Sequence, residues 1–96
     1  MRIRAIRKTC IASPARWDGD MDDGRFICIR YQAGILTVCF GATPDEAADD
    51  RPEREWFARQ VGGQWADNIL FEEICRVTSL VPPRGLDCEA IDEVAG

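Results

Sequence analysis

Clustered apolar positions along the chain predict three β-strands. Two runs rich in β-branched and aromatic residues, 25–31 and 35–40, are separated by a short segment that ends in Gly34. Such a pair is typical of a β-hairpin with a three-residue or bulged loop. Residues 2–12 place isoleucines among charged residues and predict a first strand. Neither face of the hairpin is cleanly polar, so we expect a helix to cover one face and a second contact to cover the other.

Helical spacing and capping signals predict the remaining elements. Thr43, Pro44 and Glu46 form a strong helix start, because threonine can cap, proline fits the first helical position and the glutamate can reach back to the cap amide. Pro52 interrupts this segment, so we expect a short turn of helix and then a helix over 51–61. A broad apolar face predicts a further helix over 70–79.

Two segments carry weaker signals. Residues 17–24 are rich in aspartate and glycine, which favours a loop. Residues 81–96 contain a weak helical start at Asp87, with Ile91 and Val94 in register, and we expect a loosely packed tail.

The pattern as a whole predicts a single α+β domain over 1–96. Its core is a three-stranded antiparallel sheet with a central β-hairpin, packed by two to three short helices. With 46% hydrophobic and 30% charged residues, the composition is that of an ordinary globular protein.

The cysteine content and the length of the apolar runs indicate the cellular compartment in which we expect the protein. No run approaches the length of a membrane span, and no long apolar segment follows the basic N-terminus as in a signal peptide. The five cysteines are odd in number, and no two have C-x-x-C spacing. We therefore expect a cytoplasmic protein with reduced thiols and no membrane contact.

Catalytic and metal-binding patterns are missing from the sequence. There is no histidine to activate a cysteine or serine nucleophile. A calcium loop starting at Asp18 would place Asp23 where the EF-hand needs glycine and Ile29 where it needs glutamate. The cysteines are too widely separated for paired zinc ligands. We expect no enzyme, no catalytic residue, no metal and no cofactor.

Charge is unevenly distributed, although the net charge is only −5. The first strand is basic, with Arg2, Arg4, Arg7 and Lys8, and could touch nucleic acid. The interpretation we favour is that these residues pair with acids of the same domain, because the molecule as a whole repels phosphate. We expect no direct nucleic-acid partner.

Two acidic blocks are the candidate binding residues. Either they form a solvated surface, or they complement a basic surface on a partner protein, of the kind that usually binds nucleic acid. An exposed aromatic beside them would anchor such a contact; Trp17 is the candidate, whereas Trp56 fits the core better. The predicted partner-binding residues are Trp17, Asp18, Asp20, Asp22, Asp23, Asp45, Glu46, Asp49, Asp50 and Glu53.

The hairpin over residues 23–31, in a short acidic α+β chain, resembles small proteins encoded by phages and mobile elements, among them those of the anti-CRISPR type. The resemblance implies a non-enzymatic inhibitor that binds a CRISPR effector or another nucleic-acid-binding protein and blocks access of nucleic acid. It rests on general layout and implies no site residues.

Two alternatives stay open. The chain could be a structural or assembly subunit that homodimerises by pairing the hairpin edge or by stacking its two-sided apolar sheet. We expect the protein to be a monomer or a homodimer. It could also be a small metal protein that uses carboxylates or the thiols of Cys28 and Cys39.

Overall fold

Each strand of the fold pairs with its neighbour in the chain. The computed structural model describes residues 1–10, 15–49, 54–66, 68–85 and 91. The elements are β1 (Ile3–Cys10), β2 (Ala15–Met21), β3 (Phe26–Gln32), β4 (Ile35–Gly41), α1 (Pro44–Ala48), β5 (Glu55–Gln60) and α2 (Phe71–Thr78). The strands form one antiparallel sheet in the order β1-β2-β3-β4-β5.

The α+β class is confirmed, but the prediction of a three-stranded sheet packed by two to three helices is wrong. The described residues form five strands and two helices, and most of the ordered backbone is sheet. The two additional strands, β2 and β5, occupy segments that the sequence assigned to a loop and to a helix.

Strand β2 replaces most of the predicted loop over 17–24. Trp17 and Met21 are buried on one face, and Asp18 and Asp20 point to the other, which is the two-residue period of a strand. Gly19 lets β1 approach closely, since a Cβ there would collide with the carbonyl oxygen of Ala5. Asp18 and Asp20 therefore mark the polar face of a strand, whereas Asp22 and Asp23 lie in the turn that follows.

Strand β5 replaces the predicted helix over 51–61. It pairs with β4 from Ile35 opposite Gln60 to Val38 opposite Phe57, with a bulge at its beginning. The outer edge of β4 would otherwise leave a row of backbone groups without partners, and aromatic residues suit a strand. Residues 51–53, including Pro52, lie outside the described part of the chain.

The hairpin and the two other helix predictions are confirmed in position. β3 and β4 enclose a two-residue turn where the prediction was a three-residue or bulged loop; Ala33 and Gly34 both have positive φ, 54° and 78°, as this tight turn requires. Helix α1 begins after Thr43, whose hydroxyl accepts a hydrogen bond from the backbone N–H of Glu46. Helix α2 lies within the predicted 70–79.

The two faces of the sheet are covered by different helices, as the mixed hairpin faces predicted. On the inner face, strand residues such as Trp17, Ile29 and Val38 join Phe71 and Ile74 of α2 in the hydrophobic core. Helix α1 packs on the outer face of β3 and β4, where an Arg30 guanidinium donates to its last carbonyl.

The segment after α2 returns to β1. Ile3 N–H donates to the Val81 carbonyl (2.9 Å), and Val81 N–H donates to the Met1 carbonyl (3.0 Å). Ile91 is buried in the core. Asp87 and Val94, which the tail prediction invoked, lie outside the described residues. Among the helices that the structure describes, none is both long and apolar enough to cross a membrane.

Candidate functional site

The strand order brings the two acidic blocks to one end of the sheet. β2 and β4 end where β3 and β5 begin, and Phe26 at the start of β3 pairs with Gly41 at the end of β4. The turn over 22–24 and the start of α1 therefore leave the sheet side by side. We call this region the acidic end; it comprises residues 20–25, residues 42–49 and Glu55.

Asp18 belongs to the outer face of the sheet and lies away from the acidic end. Its carboxylate accepts two hydrogen bonds from Arg16 (2.8 and 2.9 Å) and one from the Thr9 hydroxyl (2.5 Å). Burial would raise the pKa of Asp18, but these hydrogen bonds outweigh it and hold the pKa below its usual value. Its charge is satisfied within the domain.

The remaining acids of the first block, Asp20, Asp22 and Asp23, differ in whether their carboxylates are paired with a described base. Asp20 forms an ion pair with Arg4 of β1. Asp23 accepts from the backbone N–H of Arg25 (3.0 Å) and from its guanidinium (2.8 Å), and these bonds lower the pKa of Asp23. Asp22 is exposed in the same turn. The basic residues of β1 thus pair in part with acids of the domain, as the charge distribution predicted.

The second block is organised by the cap of α1. Glu46 accepts a hydrogen bond from the backbone N–H of Ala42 (2.8 Å), one residue before the cap, whereas the predicted capping box would use the Thr43 N–H. Arg54 lies 3.6 Å from the Glu46 carboxylate and 3.8 Å from that of Asp49. Asp45 projects into solvent. Asp50 and Glu53, also predicted as binding residues, lie outside the described residues.

Three carboxylates of the acidic end remain without an ion pair to any described residue. They are Asp22 in the β2–β3 turn, Asp45 in α1 and Glu55 at the start of β5. All three are exposed. Three separate elements therefore present carboxylates without an ion pair to the described residues at one end of the molecule, although Arg2, Arg4 and Arg84 line the same pocket as Asp22.

Aromatic and apolar groups lie at the same end of the sheet, where Phe40 belongs to the inner face. The Arg25 guanidinium stacks over the Phe40 ring at 4.5 Å and contacts the Met1 sulfur at 3.1 Å. Met1 is 49% exposed. Trp56 packs edge-on against Phe40, with 5.4 Å between ring centroids. We did not predict Met1, Arg25 or Phe40; Arg25, the base directly after the first acidic block, is the signal that could have pointed to them.

The expected roles of two tryptophans are reversed. Trp17, predicted as an exposed anchor, is 0% exposed because it projects from β2 into the core. Trp56, assigned to the core, is 43% exposed because it lies on the outermost strand. Trp17 is therefore removed from the candidate surface.

Among the described thiols, that of Cys28 is not activated as a nucleophile. Cys28 and Cys39 lie opposite each other on β3 and β4 and are buried. Burial, with a contribution from the charge of Asp18, raises the pKa of Cys28 to about 11. Within the described ranges, no three cysteine or carboxylate side chains are grouped closely enough to hold a metal ion.

Comparisons with protein-family models, with curated proteins and with solved structures gave no match. The functional argument therefore rests on the geometry of this chain.

Proposed function

We propose that this protein is a non-enzymatic binding module that contacts a basic surface of a partner protein through its acidic end. The observation that carries the proposal is that Asp22, Asp45 and Glu55, exposed and unpaired among the described residues, lie at the same end of the sheet as the exposed Met1 and the half-buried Phe40. Protein interfaces combine apolar side chains with charged ones.

Two arginines, Arg25 and Arg54, hold side chains of the acidic end in place, and this supports the proposal. Arg25 joins the β2–β3 turn to Phe40 on β4, and Arg54 lies beside both Glu46 and Asp49 of α1. A surface ordered before binding loses less conformational entropy on association. The free carboxylates then set the encounter rate and the choice of partner.

In its narrower form, the proposal is that the partner's basic surface normally binds nucleic acid. Occupation of that surface would exclude nucleic acid, as an inhibitor of the anti-CRISPR type does. No disulfide joins one described cysteine to another, which fits an encounter in the cytosol.

Matched charge reversals test the proposal. Bait protein carrying Asp22→Lys and Asp45→Lys should capture about tenfold less of its partner than wild type, because attraction becomes repulsion at two contacts. The control is Glu72→Lys with Glu73→Lys on α2, which makes the same charge change on another element. Quantitative mass spectrometry of the captured proteins gives the ratio for each bait.

The outcomes separate the broad proposal from the narrow one. Equal capture by both double variants would contradict binding through the acidic end. If a partner is lost only with the Asp22 and Asp45 variant, an added DNA duplex should displace wild-type protein from it. A partner that holds DNA and this protein together would contradict exclusion of nucleic acid and leave the binding site intact.

A further inference from the structure

Three arginines line one small pocket beside the start of β1. The pocket is formed by three segments of the chain, and its lining residues are Arg2, Ile3, Arg4, Asp22 of the β2–β3 turn and Arg84 of the segment after α2. Its volume is about 170 Å³, below the roughly 300–1,000 Å³ of pockets that hold drug-sized ligands. The pocket, which we call the arginine pocket, therefore suits one small group of a ligand.

Backbone hydrogen bonds hold the three segments of the arginine pocket together. The Asp22 N–H donates to the Arg2 carbonyl (3.0 Å), which fixes the β2–β3 turn against the start of the chain. On the other side, Arg2 forms a parallel bridge with Val81, and the Ile3 N–H donates to the Val81 carbonyl (2.9 Å). A site that is ordered before binding loses less conformational entropy when its ligand enters.

The three guanidinium groups are engaged to different degrees. The Arg2 guanidinium donates to the Pro82 carbonyl (3.0 Å), which orients it without neutralising its charge. Arg4 forms an ion pair with Asp20, yet its side chain is 67% exposed. Arg84 is exposed and has no ion pair with another described residue. Since a guanidinium carries five N–H donors, all three arginines keep donors for a ligand.

The lining of the arginine pocket carries three positive charges and one negative charge. We propose that it binds the terminal phosphate of a small phosphate monoester. Such a phosphate has three terminal oxygens and a charge of about −1.5 to −2 at neutral pH, and guanidinium groups bind these oxygens in pairs. A carboxylate offers only two oxygens and a single charge, so it fits three arginines less well.

The charge of the whole molecule favours a small ligand over a nucleic acid. The net charge is −5, and the acidic end begins beside the arginine pocket, where Asp22 belongs to both. A long phosphate backbone would be repelled by the surface around the pocket, whereas a single phosphate meets mainly its lining. The inference goes beyond the proposed function and does not depend on it, because the arginines of the pocket lie outside the acidic end.

Titration with inorganic phosphate at constant ionic strength, followed by the amide NMR signals, tests the arginine pocket. Signals of residues 2–4, 22 and 84 should shift and saturate. Arg84→Gln should raise the Kd by about tenfold, because charge-assisted hydrogen bonds are lost. Asp22→Asn should lower the Kd by roughly threefold, because it removes a repulsive charge. The control is Arg59→Gln on β5, the opposite edge of the sheet, which should leave the Kd unchanged.

The gain expected for Asp22→Asn keeps the test independent of folding defects, since a misfolded variant would not bind more tightly. It also separates the two proposals, because the same change should weaken capture of a partner through the acidic end. Absence of saturable shifts with phosphate, or an unchanged Kd for Arg84→Gln, would overturn the inference.

Three further ligands identify the source of the phosphate. Glycerol phosphate, a monoester, should shift the same signals and bind at least as tightly as inorganic phosphate. Acetate at the same ionic strength should bind more weakly, and so should a short DNA strand without a terminal phosphate. Equal binding of acetate would contradict recognition of phosphate, and tighter binding of the DNA strand would contradict a small ligand.

Discussion

At the scale of single residues, Asp18 illustrates how the domain uses its charge. It lies among acids that suggested a binding surface, yet its carboxylate is engaged by Arg16 and Thr9 on the outer face of the sheet. Asp45, on α1, has no such partners among the described residues and is exposed. Neighbouring hydrogen-bond donors therefore decide which acids are free to meet a partner.

Asp18 should contribute to stability in a pH-dependent way. Its pKa is lower in the folded protein than the ordinary 3.8, so the unfolded chain binds more protons in acid. The contribution is present above the unfolded value and is lost as pH falls through the folded one. Asp18→Asn should lower the free energy of unfolding by about 1–2 kcal/mol at neutral pH, and the difference should shrink below about pH 4.

Urea denaturation of both proteins across this pH range measures the difference. Asp45→Asn is the matched control, because that carboxylate has no ion pair in the described part of the chain. A difference for Asp18→Asn that stays constant down to strongly acid pH would contradict the role of its charge.

Residue identity alone predicted the acids of the site but could not predict their surroundings. Whether Asp20 is paired depends on Arg4 of the neighbouring strand, and that proximity is set by register. The exposure of Trp17 and Trp56 depends equally on the face and strand to which each belongs. These are properties of distant pairings, and local composition does not encode them.

At the scale of elements, the pairing of β1 with β2 depends on a position without a side chain. A Cβ at Gly19 would enter the space of the Ala5 carbonyl oxygen, on the backbone of the adjacent strand. Gly19→Ala should therefore destabilise the fold by about 1–3 kcal/mol, because backbone cannot move aside as a flexible side chain can.

Thermal unfolding followed by circular dichroism tests this expectation. Gly63→Ala is the control, since a Cβ at Gly63 meets nothing within 4 Å. Equal midpoints for the two variants would show that β1 and β2 have room at Gly19 for a methyl group.

The elements that sequence predicted correctly are those with local signals. The hairpin has a glycine turn, α1 has a threonine cap followed by proline, and α2 has an apolar stripe. β2 and β5 lack such signals: one is rich in turn-forming residues, and the other has spacings that fit a helix equally well. Each becomes a strand because an adjacent edge needs a partner, which is a tertiary effect.

At the scale of the whole molecule, the alkylation rate of a buried thiol measures how readily the fold opens. Cys28 lies under the outer layer of the fold, and its raised pKa of about 11 keeps it protonated at neutral pH. We expect alkylation of Cys28 at neutral pH to be far slower than alkylation of Cys10, which is half-buried. Denaturant should remove the difference, and peptide mapping by mass spectrometry measures both rates. Equal rates in the native protein would contradict the packing of the outer face.

The neighbour-by-neighbour order of the strands has a consequence for how the chain folds. Every strand pair closes over a short stretch of chain, so the entropy lost at each step is small and the sheet can grow progressively from β1 onward, even during synthesis. The backbone contacts between Val81 and β1 span most of the sequence and close the longest loop. The slowest step in folding should therefore be the docking of the segment after α2 onto the first strand, after the sheet is already formed.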